Sequence, residues 1–142
     1  MFRQITETVF ASPQIGTAAI AEAKALGIVR IVNNRPEGES DDQVPGEVIE
    51  AEARAAGIDY VAIPVGHGGF SQAQVDAMAE ALDSAQGPVL AYCRSGTRST
   101  LLWALARAKA GDNPSVIASK AAAAGYDVSP IRQLIDMFAA GG

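Results

Sequence analysis

One cysteine, one histidine and one tryptophan are all that 142 residues contain of each type. A lone cysteine excludes any internal disulfide, and without an oxidised framework a reducing compartment is the default. One Cys with one His also excludes a zinc site built from three or four such ligands, and no metal or organic cofactor is expected. No apolar run reaches the length of a membrane-spanning helix. The N-terminus, Met1–Gln14, lacks the basic-then-apolar pattern of a secretion signal. Together these absences predict a cytoplasmic protein without a membrane partner. A net charge of −5 and a pI near 4.7 lack the basic excess of a nucleic-acid footprint. What remains, 49% apolar and 19% charged residues, is the composition of an ordinary globular chain. The length predicts one domain spanning 1–142 with its own core.

The same phrase recurs along the chain: an Ala-rich amphipathic segment, a glycine, then a short β-branched run. Residues 16–26 lead through Gly27 to Ile28–Val32. Residues 44–56 lead through Gly57 to Tyr60–Ile63. Residues 71–85 lead through Gly87-Pro88 to Val89–Tyr92. A glycine after a helix supplies a left-handed closing residue, and short bounded apolar runs fit strands buried on both faces. Val44, Val48, Ala51 and Ala55 recur at helical spacing, as do Val75, Met78, Ala79 and Leu82. Ser71 with Gln74 three residues later predicts a capping box. Residues Ile5–Ala11 add an edge strand or two. After Ser99 the pattern is wholly helical, over 99–110, 113–124 and 129–140, the last two begun by Asn113-Pro114 and Ser129-Pro130. The expected fold is α/β: a mainly parallel sheet with helices on both faces and an all-helical C-terminal third. That Ala-rich third also offers a face for a homodimer. The one long irregular stretch, Asn33–Asp42, follows the C-terminal end of a predicted parallel strand, where α/β folds place ligands.

The cysteine stands at the end of a predicted buried strand, in Tyr92-Cys93-Arg94-Ser95-Gly96-Thr97-Arg98-Ser99. A loop between strand end and helix start gathers consecutive backbone N–H groups into one concavity. The helix start adds partial positive charge, and Arg94 and Arg98 add full charges. Each term favours the thiolate over the thiol. The same cradle suits an anion beside the sulfur, with Arg98 as a fork-shaped clamp and Gly96 permitting the turn. Arg94 is expected to point outward or to brace a neighbouring loop. Ser99 and Thr100 are read as helix-start hydroxyls, one of which could reach the thiolate. Arg35 is read two ways, as an ion-pair partner of Glu37, Glu39 or Asp41 within its own loop, or as a substrate-binding residue beside Cys93. His67 is likewise either a solvent-exposed loop histidine or a proton donor.

Cys-Arg-Ser-Gly-Thr-Arg-Ser resembles the active-site loop of rhodanese-type sulfurtransferases and, in looser form, that of cysteine-dependent phosphatases. Ser12-Pro13-Gln14, Val32–Glu39, Tyr60-x-x-Ile63-Pro64-Val65 and Tyr92–Trp103 together resemble the phosphatase-like domain family of beta-lactamase hydrolase-like proteins. That resemblance implies a protein-tyrosine-phosphatase-like fold. It also implies a link to a metallo-β-lactamase-type persulfide dioxygenase, since some members are fused to such a domain.

The resemblance leaves the reaction open between sulfur and phosphoryl transfer. Tyrosine-phosphatase-like enzymes carry Cys-x5-Arg, whereas this chain has Cys-x4-Arg, the rhodanese spacing. They keep an aspartate as acid on a separate loop, often after Ile-Pro-Val, where this chain has His67 after Ile63-Pro64-Val65-Gly66. Tyr92 stands where they usually have histidine, and Asp59 lies at the wrong end of its strand. On these residues the leading expectation is a sulfurtransferase that forms a Cys93 persulfide from a small anionic donor such as thiosulfate or a persulfide. The alternatives are a phosphatase with a phosphocysteine intermediate, acting on a phosphate ester with His67 or water as acid, and a non-enzymatic persulfide carrier or anion-binding module.

Overall fold

The three glycine-led apolar runs form parallel strands of a five-stranded sheet in the computed structural model, which describes residues 2–141. The strands are β1 (Arg3–Thr6), β2 (Val9–Ser12), β3 (Arg30–Asn33), β4 (Asp59–Ala62) and β5 (Val89–Tyr92), in the spatial order β1-β2-β5-β3-β4. Only β1 and β2 pair antiparallel. The expected edge at Ile5–Ala11 is therefore half right. β1 is an edge, but β2 lies inside the sheet, parallel to β5. The opposite edge, β4, is only partly buried rather than covered on both faces.

Alternation along β3 and β5 divides the core in two. Val32, Val89 and Ala91 point to one face, Ile31, Leu90 and Tyr92 to the other. Every residue of β5 is buried, as the central strand of a two-faced sheet requires. Against the second face pack α1 (Ala19–Ala25) and α2 (Gly46–Ala55). Against the first pack α3 (Gln72–Asp83), α4 (Thr97–Lys109), α5 (Pro114–Ala123) and α6 (Arg132–Ala139). α4 sits between the sheet and α3, α5 and α6, and is buried nearly all round. Residues such as Leu102 and Leu105 are fully enclosed there, each worth about 1.5–3 kcal/mol on transfer from water.

The helix signals hold at most ends. Ser71 Oγ accepts from the Gln74 N–H at 3.1 Å, and Gln74 Oε1 accepts from the Ser71 N–H at 2.8 Å, closing the capping box. Asn113 Oδ1 accepts from the Ser115 N–H at 2.8 Å, with Pro114 at the first turn of α5. Gly27 and Gly57 take positive φ after α1 and α2, but Gly87 does not. A Cβ there would lie 3.0 Å from Val29 Cγ1, so Gly87 serves close approach rather than a left-handed turn. Ser129-Pro130 opens a 3-10 turn, and α6 starts only at Arg132. The expected stripe of α2 is displaced: Val48, Ala51 and Ala55 are exposed, while Ile49 and Ala53 are buried. One Ile buries more apolar surface than the Val it displaces, and Gly46 fixes the rotation by donating its N–H to Glu37 Oε1 at 2.9 Å.

Parallel pairing aligns Ser12, Tyr92 and Asn33 across the sheet, so the C-terminal ends of β2, β5 and β3 open onto one edge.

Candidate active site

That edge is where the cysteine lies. Cys93 follows β5, is fully buried, and donates its N–H to the Ser12 carbonyl at 3.3 Å. Neighbouring strand ends are tied to it: Asn34 N–H donates to the Tyr92 carbonyl at 2.8 Å, and Gln14 N–H to the Arg94 carbonyl at 3.2 Å. The chain then turns sharply back. Gly96 N–H points at Cys93 Sγ, 3.1 Å away, and Gly96 at φ +91° starts α4. A side chain at this position is excluded twice over, by the left-handed conformation and because a Cβ would lie 2.1 Å from Tyr126 Oη.

Arg98, one residue into α4 from Thr97, has its guanidinium fixed from outside. Nη1 donates to Glu39 Oε2 at 2.7 Å and to the Val65 carbonyl at 2.6 Å, and Nη2 donates to Glu39 Oε1 at 2.8 Å. A guanidinium has five N–H bonds. Three are engaged in this way, so the Nε–H and the remaining Nη2–H, which lie side by side, form the free edge of the fork. Arg98 is held above its ordinary pKa, first by its hydrogen bonds to Glu39 and further by the Cys93 sulfur, against a smaller penalty from burial. Glu39 answers it. The Arg98 hydrogen bond brings the Glu39 carboxyl down to about 2, with Arg35 adding to the shift and burial opposing it.

Arg35 stands behind Glu39. It is 4% exposed, donates from Nε to Glu39 Oε1 at 3.0 Å, and is steadied by Gln14 Oε1 and Ser40 Oγ. The ion-pair reading of this residue is the one seen: Arg35 pairs within its own loop, and the carboxylate it grips holds Arg98. His67 reaches the mouth, with Nε2 3.6 Å from Glu39 Oε2, but its side chain is 85% exposed. Arg94, Ser95 and Thr97 are on the surface, with Ser95 Oγ donating to Thr97 Oγ1. The buried hydroxyls of α4 do not face the sulfur. Ser99 Oγ donates to Asn34 Oδ1 at 2.8 Å and Thr100 Oγ1 to the Gly96 carbonyl at 2.9 Å, so neither takes the thiolate-binding place. Asp59 pairs with Arg30 at the far end of the sheet, away from the cysteine. Tyr92 is buried on the α1–α2 face, which holds its phenol well above the ordinary range.

Glu39 and Tyr126 are site residues that sequence reasoning did not single out. Glu39 was visible only as a local partner of Arg35. Tyr126 Oη donates to the Ser95 carbonyl at 3.3 Å and closes the cysteine loop from the α5 side, a contact across 31 residues with no local signal.

A parallel sheet between two helical layers, with a cysteine at a central strand end and an arginine on the following helix, defines the protein-tyrosine-phosphatase-like class. The profile of the family "Beta-lactamase hydrolase-like protein, phosphatase-like domain" matches residues 1–110, and the chain belongs to that family. A beta-lactamase hydrolase-like protein of Agrobacterium fabrum is 38% identical over 105 residues, 73% of this chain and 24% of that protein. This chain thus matches about a quarter of the length of such curated relatives. The crystal structure of a candidate phosphatase from Neisseria meningitidis is 32% identical, with a TM-score of 0.84 over 96% of each chain. TpbA of Pseudomonas aeruginosa, solved in complex with pTyr, is 18% identical with a TM-score of 0.69, covers 99% of this chain and 88% of its own, and shows the fold alone.

Proposed function

We propose that the chain is a cysteine-dependent phosphatase acting on a phosphate monoester, with Cys93 as nucleophile and Arg98 as anion clamp. The observation that supports this reading is a buried sulfur that accepts from the Gly96 N–H at 3.1 Å, with the Arg98 guanidinium pinned by Glu39 and near enough for that sulfur to help hold it charged. The thiolate attacks phosphorus, and the P–O bond to the leaving group breaks as the S–P bond forms. Loop amides and Arg98 take the negative charge of the equatorial oxygens. In this reading His67, whose Nε2 lies 3.6 Å from Glu39 Oε2, donates as imidazolium to the leaving oxygen. Water then attacks the phosphocysteine, with the neutral imidazole accepting its proton, and the S–P bond breaks to release phosphate. The phosphatase-like family and the 32% identical candidate phosphatase support a phosphate ester as the substrate class.

Sulfur transfer, the leading expectation from the loop, becomes the second reading. The Cys-x4-Arg spacing and the missing loop aspartate still favour it, but the family and the structural neighbours speak for phosphate. In that reading the Cys93 thiolate takes the outer sulfur of thiosulfate, sulfite leaves, and a thiol or cyanide accepts the sulfur from the persulfide. Wild type and Cys93→Ser, each incubated with an aryl phosphate and separately with thiosulfate plus cyanide, distinguish the two. The expected result is aryl phosphate turnover that disappears in Cys93→Ser. Thiocyanate formation without phosphate release, with Cys93 one sulfur heavier by intact mass, would overturn the phosphatase assignment.

A further inference from the structure

The N–H that Gly96 directs at Cys93 Sγ, 3.1 Å away, belongs to the Ser95–Gly96 peptide. That peptide is trans, so its carbonyl points the opposite way in the same plane. On that side Tyr126 Oη donates to the Ser95 carbonyl at 3.3 Å. One rigid unit thus joins the phenol to the sulfur. Among the described residues no other donor reaches the Ser95 carbonyl. Glycine populates positive and negative φ about equally, so a peptide that precedes one turns readily unless it is held. Tyr126 is placed to hold it. Its N–H donates to the Ala121 carbonyl at 2.9 Å just past α5, and Arg3 stands 5.8 Å from its ring centroid while donating to the Ala124 carbonyl. The ring is buried and packs so closely that a Cβ on Gly96 would lie 3.0 Å from its Cζ. Burial raises the phenol above its ordinary range, with Arg3 opposing and Cys93 adding, so the hydroxyl keeps its proton.

We propose that Tyr126 is a positioning residue for the nucleophile: its hydroxyl holds the Ser95–Gly96 peptide so that the Gly96 N–H stays on the Cys93 sulfur. This role rests on Cys93 as nucleophile, as the phosphatase reading does, but it concerns the thiolate itself and not the group that the thiolate attacks. Tyr126 lies outside residues 1–110, the segment that the family profile matches.

Tyr126→Phe removes the hydroxyl and keeps the ring. Because Cys93 is the one cysteine, the ultraviolet absorbance of its thiolate can be followed against pH by subtracting the matching Cys93→Ser chain. Loosening a donor from a charged sulfur is expected to move the rise of that signal up by about one pH unit in Tyr126→Phe. Arg98 is unchanged in this variant, so the shift reports the peptide. Ser71→Ala, which loosens the start of α3 and touches no atom of this peptide, separates positioning from a general loss of stability. Its signal is expected to rise where that of the wild type does. An unmoved titration in Tyr126→Phe, or an equal shift in Ser71→Ala, would overturn the proposal. Because no substrate is present, a shift in Tyr126→Phe together with a wild type that releases no phosphate supports the positioning role and counts against the phosphatase reading alone.

Discussion

In the proposed mechanism Arg98 is the anion clamp, and Glu39 fixes its guanidinium. The carboxylate takes the end of the fork, and in that mechanism the Nε side is left for the substrate. Glu39→Gln keeps the shape but loses one acceptor oxygen and the charge, so the guanidinium gains freedom to rotate. The expected outcome is a fall in kcat/KM of roughly tenfold to a hundredfold with an aryl phosphate, the scale of a misplaced catalytic group. An unchanged kcat/KM would remove Glu39 from the positioning role. Gly96 carries a second prediction at the same scale. Gly96→Ala meets both the +91° φ and the Tyr126 hydroxyl, and is expected to destabilise the fold by about 1–3 kcal/mol in urea unfolding. Adding Tyr126→Phe removes the nearest atom and is expected to recover part of that loss, while the backbone strain persists. Cys93, Arg98 and Gly96 were legible because they fall within six consecutive residues whose chemistry is local. The grip of Glu39 on Arg98 spans 59 residues and depends on how the loop after β3 folds over the sheet edge, which no local pattern encodes.

Elements were most legible where a cap or a turn residue fixed them. The start of α3 is an example: the Ser71–Gln74 reciprocity was readable from two residues and is present. The face of α2 was not, because two interleaved apolar rows compete and the tertiary partner decides. Burial of Ile49 beside Tyr60 wins over Val48. The position of β2 inside the sheet was hidden for a similar reason, since a strand of four residues carries no record of its neighbours. α3 also allows stability to be separated from activity. Ser71→Ala removes one cap acceptor and is expected to cost about 1 kcal/mol in urea unfolding with turnover unchanged. Gln74→Ala breaks the same box and also removes the Nε2 donor that holds the Pro64 carbonyl at 3.0 Å. Pro64 begins the segment carrying Val65, which supports Arg98, and His67. Gln74→Ala is therefore expected to lower turnover as well as stability. Equal turnover in the two variants would show that this tether does not reach the site.

For the whole molecule, the net charge of −5 hides a site whose positive groups are held by one internal carboxylate. Glu39 couples that site to global stability through pH. Its carboxyl is lowered from 4.5 to about 2 in the fold, first by Arg98 and then, against burial, by Arg35. A depressed carboxyl binds its proton more readily in the unfolded chain. Its contribution is therefore full above about pH 4.5 and is lost as the pH falls through the interval down to about 2. By linkage the shift is worth up to about 3 kcal/mol. Other carboxyls held low by arginines, such as Asp59 and Asp112, also weaken the fold in acid, so the wild-type profile alone does not isolate Glu39. The difference between wild type and Glu39→Gln does. Urea unfolding is expected to show a large gap near neutral pH, where the variant leaves Arg98 and Arg35 without their shared counter-charge. That gap is expected to narrow steadily below about pH 4.5, as protonation turns the wild-type residue into a neutral acid like the amide that replaces it. A gap that stays constant down to about pH 2.5 would mean that the Glu39 carboxylate is not bound more tightly in the folded chain than in the unfolded one.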